Sequence, residues 1–257
     1  MRGGNNMGND TLIIGMGEIG QPLATILKTV YDVETRDKED MLLRPTYDWI
    51  HICFPYSNTF VEDVVQYARY YQARYVIIHS TVFPGTTARI GELLCWHDTI
   101  VAYSPVRGRH RSMAKDMIYY TKYVACPYSV FEEDAVERYL AEAGFDVCII
   151  RFESTSALET AKLVETSYSA LLIAWAQELE RIAQALEVDR EDLLELTKDV
   201  PYLPRYVFEP GRIGEHCLIP NIELLQQVHD GVLLDAIIKS NEQVPDNGVR
   251  RRARQLW

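Results

Sequence analysis

Up to about Ile150 the chain alternates short apolar runs with stretches whose apolar residues return every three or four positions. TLIIG, YDVET, WIHICF, YVIIHS, TIVAYS and YVACP predict the strands of one sheet. Several of these runs carry no polar alternation, the pattern of a strand covered by helices on both faces. Strand, helix, strand in this rhythm predicts an α/β fold with a parallel, doubly wound sheet. From Ser156 the period changes. Ala157, Ala161, Val164, Tyr168, Leu171, Trp175, Leu179, Ile182 and Leu186 recur at helical spacing and predict one long amphipathic helix over 156–187. Ser156 with Glu159 three residues on predicts a capping box at its start, and Asp189 the N-cap of the next helix, DREDLLELT. The expected division is a sheet domain over 1–153 and a smaller all-helical domain over 154–257.

Composition narrows the function classes. A net charge of -11 disfavours nucleic acid as a general partner. Five cysteines, Cys53, Cys95, Cys126, Cys148 and Cys217, have no CxxC spacing, which suggests neither a disulfide framework nor a zinc ribbon and fits a reduced cytoplasmic setting. No apolar run is long enough for a membrane span, and the polar start MRGGNNMGND reads as a loose arm rather than a signal peptide. The arginine-rich end, VRRRARQLW, reads as a solvated tail.

GMGEIG places Gly15, Gly17 and Gly20 between the strand TLII and a helix starting near Gln21. In a Rossmann turn the first glycine permits the tight bend, the second lets backbone approach a pyrophosphate, and the third packs helix on strand. The pyrophosphate would rest on the helix N-terminus, with Glu18 and Ile19 in the same turn. Asp37 ends the next strand and predicts hydrogen bonds to ribose hydroxyls, favouring NAD over NADP; Arg36 and Lys38 beside it leave NADP open.

Four further segments follow in order: HSTVFPGTT (His79–Thr87), AYSPVRGRH (Ala102–His110), ETAKLVETSYSALLIAWAQELERIAQAL (Glu159–Leu186) and FEPGRIGEHCLIPN (Phe208–Asn221). With the glycine turn they resemble the UDP-glucose/GDP-mannose dehydrogenase family, of the UDP-N-acetylmannosamine dehydrogenase type. The resemblance implies NAD as cofactor and a sugar or nucleotide-sugar alcohol as substrate, oxidised in two hydride transfers. A cysteine holds first a thiohemiacetal and then a thioester. By this match Cys217 is the nucleophile, and Lys162 stabilises the oxyanion formed as the thiolate adds. Ser80 and Thr81 fall beside the nicotinamide and could order a water, and Pro55 lines the cofactor side. His110 and His216 are expected to hold loops by hydrogen bonds rather than act as bases. The resemblance also implies a homodimer through the long helix.

Where the family has a glutamate, an asparagine and an aspartate, this chain has Val106, Thr166 and Asn221. Thr166 and Asn221 remain in the expected catalytic set, yet none of the three serves as a base at neutral pH, which puts deacylation in question. Arg212 and Glu215 replace loop glycines, and the chain stops where the family continues into a third domain that recognises the nucleotide. Two other readings stand beside this one: a two-electron dehydrogenase of the β-hydroxyacid type relying on Lys162, and an NAD-binding protein without turnover.

Overall fold

The computed structural model describes residues 10–37, 46–127, 130–148, 154–198, 200, 201, 203, 208–214 and 217–245. The chain divides into two compact units, Met1–Lys162 and Leu163–Trp257.

In the first unit five strands form one parallel sheet: β1 (Asp10–Ile14), β2 (Asp32–Arg36), β3 (Trp49–Ile52), β4 (Tyr75–Ile78) and β5 (Ile100–Tyr103). Their spatial order is β2-β1-β3-β4-β5, so the winding reverses between β1 and β3. Helices α1 (Gly20–Leu27), α2 (Phe60–Tyr70), α3 (Thr86–Leu94), α4 (Met113–Tyr119) and α5 (Val130–Glu142) make the crossovers and flank the sheet. Successive side chains of each strand go to opposite faces. Leu12, Ile50, Ile52, Val76, Ile78 and Tyr103 pack on α2 and α3. Ile13, Trp49, Tyr75 and Ile77 pack on α1, α4 and α5. On that second face four rings lie nearly parallel in a stack: Tyr31 on Tyr139 at 4.3 Å, Tyr139 on Trp49 at 3.8 Å, and Trp49 on Tyr75 at 3.9 Å.

The sixth expected strand is placed otherwise. β6 (Lys122–Tyr123) pairs with β7 (Val147–Cys148) in a small sheet of its own. Ala125 meets Tyr103 of the main sheet through one antiparallel bridge. An apolar run specifies burial but not the strand it will pair with.

Helix α6 (Thr155–Leu186) runs 32 residues, as its periodicity predicts. The capping box at its start does not form: Ser156 lies inside the helix, and Glu159 spends its carboxylate elsewhere. Asp189 does cap α7 (Arg190–Leu194), accepting from the Glu191 amide at 2.9 Å. The second unit is helical, with α8 (Leu218–Val228) and α9 (Val232–Glu242) joining α6 around a small core of Ala170, Ala174, Ile213, Ile222 and Ile237. No helix among the described residues is long and apolar enough to cross a membrane.

Candidate active site

The carboxyl ends of β1 and β3 flank the point where the winding reverses, the place where doubly wound sheets bind ligands. The glycine turn sits there, and each glycine has a distinct reason. Gly15 has φ +94, and a Cβ on it would lie 2.6 Å from the Phe54 amide nitrogen. A Cβ on Gly20 would meet the Gly15 carbonyl oxygen at 1.9 Å. Around Gly17 nothing lies within 4 Å. Turn and packing therefore demand the outer glycines, while the middle one faces open space of the kind a pyrophosphate needs. Ile19 is the N-cap of α1 and packs against its core, and the Gln21 side chain donates to the Met16 carbonyl at 2.7 Å, bracing the turn.

Glu18 pairs with His110 Nδ1 at 2.6 Å, tying the turn to the loop after β5. That is the loop-holding role expected of His110. Asp37 follows β2 and is exposed; Pro55, also exposed, follows β3. Arg36 donates to Tyr71 Oη at 2.6 Å with its guanidinium over the Tyr67 ring. Lys38 lies outside the described residues.

Ser80 is buried and its hydroxyl donates to the Phe54 carbonyl at 2.6 Å, lashing the loop after β4 to the loop after β3. Its proton is thereby committed to backbone, and a water could use only its lone pairs. Thr81, next along, is half-buried. The start of α3, a few residues on, is fixed from a distant point in the chain. Glu159 accepts from the Gly85 amide at 2.6 Å, the Thr87 amide at 2.8 Å and the Thr87 hydroxyl at 2.6 Å. Its carboxylate thus caps α3, satisfying N–H groups that a helix start leaves without partners. Burial, against these hydrogen bonds, raises its pKa. Val106, where the family has its glutamate, is buried in the core on the α1 side.

Lys162 is half-buried at the end of the first unit, and its charge acts on a buried lysine, Lys122, described below. In the second unit Cys217 is the N-cap of α8, with Asn221 one turn on. The Asn221 amide nitrogen of the side chain donates to Thr166 Oγ1 at 3.2 Å, and Thr166 donates to the Leu163 carbonyl at 3.0 Å. The structure thus joins Asn221 and Thr166, and sets Asn221 on the same helix that Cys217 opens. Glu215 and His216 lie outside the described residues.

Two supports escaped the sequence reading. Gln177 of α6 donates to the Gly211 carbonyl at 2.8 Å. Asn241 of α9 accepts from the Ile213 amide at 2.7 Å and donates back to its carbonyl. Together they hold the strand of chain that leads to Cys217. The signal was a buried amide on an otherwise apolar helix face, which names no partner by itself.

Residues 156–243, which include Lys162, Thr166, Cys217 and Asn221, match the sequence model of the UDP-glucose/GDP-mannose dehydrogenase family, central domain. That third of the chain is thus similar to the central domain of the family. A UDP-N-acetyl-D-mannosamine dehydrogenase of Methanocaldococcus jannaschii is 25% identical over 83% of this chain and 60% of its own length. A UDP-N-acetyl-D-glucosamine 6-dehydrogenase of Salmonella typhi is 28% identical over 67% of this chain and 42% of its own. The chain therefore spans less than two thirds of these relatives. Among solved structures, the UDP-D-ManNAc dehydrogenase of Pyrococcus horikoshii superposes with a TM-score of 0.77 at 20% identity, over 90% of this chain and 68% of that one. The parallel sheet followed by helices, one of them long, is a fold this chain shares with that solved structure.

Proposed function

We propose that this protein binds NAD in the glycine turn and oxidises the primary alcohol of a sugar or nucleotide sugar. The observation that carries the reading is the turn itself, packed shut at Gly15 and Gly20 and open at Gly17, at the reversal point of the sheet. Asp37, exposed at the end of β2, suits a ribose diol, and the engagement of Arg36 with Tyr71 supports NAD over NADP. Pro55, Ser80 and Thr81, on the loops after β3 and β4, belong to the cofactor side. NAD, when bound, accepts hydride from carbon.

In this reading Cys217 adds to the aldehyde carbon that the first oxidation leaves, and Lys162 holds the resulting alkoxide by charge. Cys217 stands at the N-cap of α8, the end of a helix dipole that carries partial positive charge. A second hydride loss gives a thioester, and water releases the acid and frees the thiol. Thr166 and Asn221 orient groups near the sulfur but accept no proton at neutral pH, so thioester hydrolysis is the slow step. A homodimer through α6 belongs to the same proposal.

The test is direct. The purified protein is incubated with NAD and a set of UDP-, GDP- and dTDP-hexoses, absorbance of reduced nicotinamide is followed, and products are identified by mass. Two NADH per substrate are expected, and Cys217→Ala should stop after one. A single NADH from the unaltered protein would move the chain to the two-electron reading. Tight NAD binding without turnover on any sugar would make it a binding protein.

A further inference from the structure

Beneath the sheet, on the α1 and α5 side, polar groups line up where the pattern predicts only apolar packing. Lys122 Nζ donates to the carbonyls of Ser104 at 2.7 Å and Pro105 at 3.0 Å and stands 3.2 Å from His79 Nδ1. His79 Nε2 is 2.9 Å from His51 Nδ1, and His51 Nε2 is 3.1 Å from Tyr139 Oη. Tyr139 Oη is 2.8 Å from Thr11 Oγ1. All five side chains are buried, Lys122 with 4% exposure. Among the described residues no carboxylate is paired with Lys122.

We propose that this row is a reversible proton store behind Lys162, which holds Lys122 with or without its proton by reversing every hydrogen bond from His79 to Thr11. With Lys122 charged, its three protons go to the two carbonyls and to His79 Nδ1. His79 then donates through Nε2 to His51, His51 through Nε2 to Tyr139, and Tyr139 to Thr11. With Lys122 neutral, its two protons keep the carbonyls and its lone pair faces His79 Nδ1–H. His51 now donates through Nδ1 to His79, Tyr139 donates to His51 Nε2, and Thr11 donates to Tyr139. Every donor from Lys122 to Thr11 finds an acceptor in both states, and an unmade buried bond would cost about 1–3 kcal/mol. The Ser104 carbonyl, 2.8 Å from His79 Nδ1, favours the neutral-lysine state, in which Nδ1 carries a proton; in the charged state both atoms accept from Nζ instead.

The row gives charge to the lysine and withholds it from the imidazoles. Burial, followed by the Lys122 charge, lowers His51 to about 3, and the same causes with His51 itself hold His79 well below its ordinary value. For Lys122 burial comes first and the charges of Lys162 and Arg107 add to it, bringing the amine to about 7. Cys53 is itself pushed up to about 12 by burial and so stays a thiol. These groups, with Tyr139 from α5, are what faces Lys122. Because the Lys162 charge weakens the hold of Lys122 on its proton, removing that charge strengthens it. Lys122 is a positioning residue in this scheme. The role of Lys162 rests on the function proposed above, whereas the reversal of the row does not.

The test needs no substrate. In full-length protein labelled with 15N-histidine and 13C-lysine, long-range proton–nitrogen correlations report which ring nitrogen is protonated from about pH 5.5 to about pH 9. His51 and His79 are expected to change tautomer together at the midpoint of Lys122, with neither becoming imidazolium. In Lys122→Met, His79 should keep its proton on Nδ1, donated to the Ser104 carbonyl 2.8 Å away, at every pH. In Lys162→Met the Lys122 midpoint and both tautomer midpoints should rise together. Tautomers that stay fixed while Lys122 titrates, an imidazolium signal, or a Lys122 midpoint unmoved by Lys162→Met would overturn the proposal. Should Lys122→Met fail to fold, the titration of the unaltered protein decides alone. An inert protein with a reversing row would sink the catalytic reading only; a turning-over enzyme with a fixed row would sink this one.

Discussion

A methyl group at Gly17 enters open space, while the same methyl at Gly20 collides with backbone. Gly17→Ala is therefore expected to leave the melting temperature unchanged yet weaken NADH binding, read by fluorescence titration. Gly20→Ala should cost about 2 kcal/mol or more in unfolding free energy, because a carbonyl 1.9 Å away must move. Equal stability of the two variants would contradict these roles. The buried histidines set an acid limit. Their folded pKa values lie below those of the unfolded chain, so unfolding takes up protons between about 6.5 and the folded value of about 3 for His51. Stability then falls as pH drops through that window. For Lys122 the unfolded chain binds more protons between 10.5 and about 7, so stability climbs as pH rises through that range. Urea titrations at stepped pH check both slopes, and Lys122→Met should flatten the upper one and weaken the lower, since the Lys122 charge helps hold both histidines down. At this scale the glycines and Asp189 were legible in the chain because their reasons are local. Glu159 and Lys122 were not, since Glu159 reaches partners 72 and 74 residues away and Lys122 reaches His79 across 43.

Helix α3 owes its start to a residue from another element. Glu159→Ala strips acceptors from two amides and a hydroxyl, and the expected cost is about 3 kcal/mol, with faster hydrogen exchange at Gly85 and Thr87. A loss below about 0.5 kcal/mol would show that water replaces the carboxylate. Five strands of the main sheet and the extent of α6 follow from hydrophobic period, because burial on two faces or on one stripe leaves a direct mark. The segment at Lys122–Tyr123 left the same mark and joined Val147–Cys148 instead, as pairing depends on the crossovers before and after a strand. The capping box failed for a related reason: the match of Ser156 to Glu159 is a local rule, and a longer-range claim on the carboxylate won.

At the scale of the whole molecule, α6 exposes Val164, Tyr168, Trp175, Ile182 and Leu186, with Trp175 57% accessible. An apolar stripe of this length is expected to close on a second copy. Sedimentation velocity at micromolar concentration should give a dimer, and Trp175→Asp a monomer; a monomeric unaltered protein would remove the dimer. The stripe could be read from sequence, but its share left uncovered by the second unit's small core could not, because that depends on where α8 and α9 pack. The four-ring stack on the sheet has an optical consequence. Trp49 is wedged between Tyr139 and Tyr75, while Trp96 and Trp175 face solvent. Exciton coupling among the stacked chromophores should give this protein an intense near-ultraviolet circular dichroism band and a dim, blue-edged emission from Trp49. Both signals would vanish together when the sheet melts, and Tyr139 belongs to both the stack and the hydrogen-bonded row, so the band should also shift as Lys122 gains its proton.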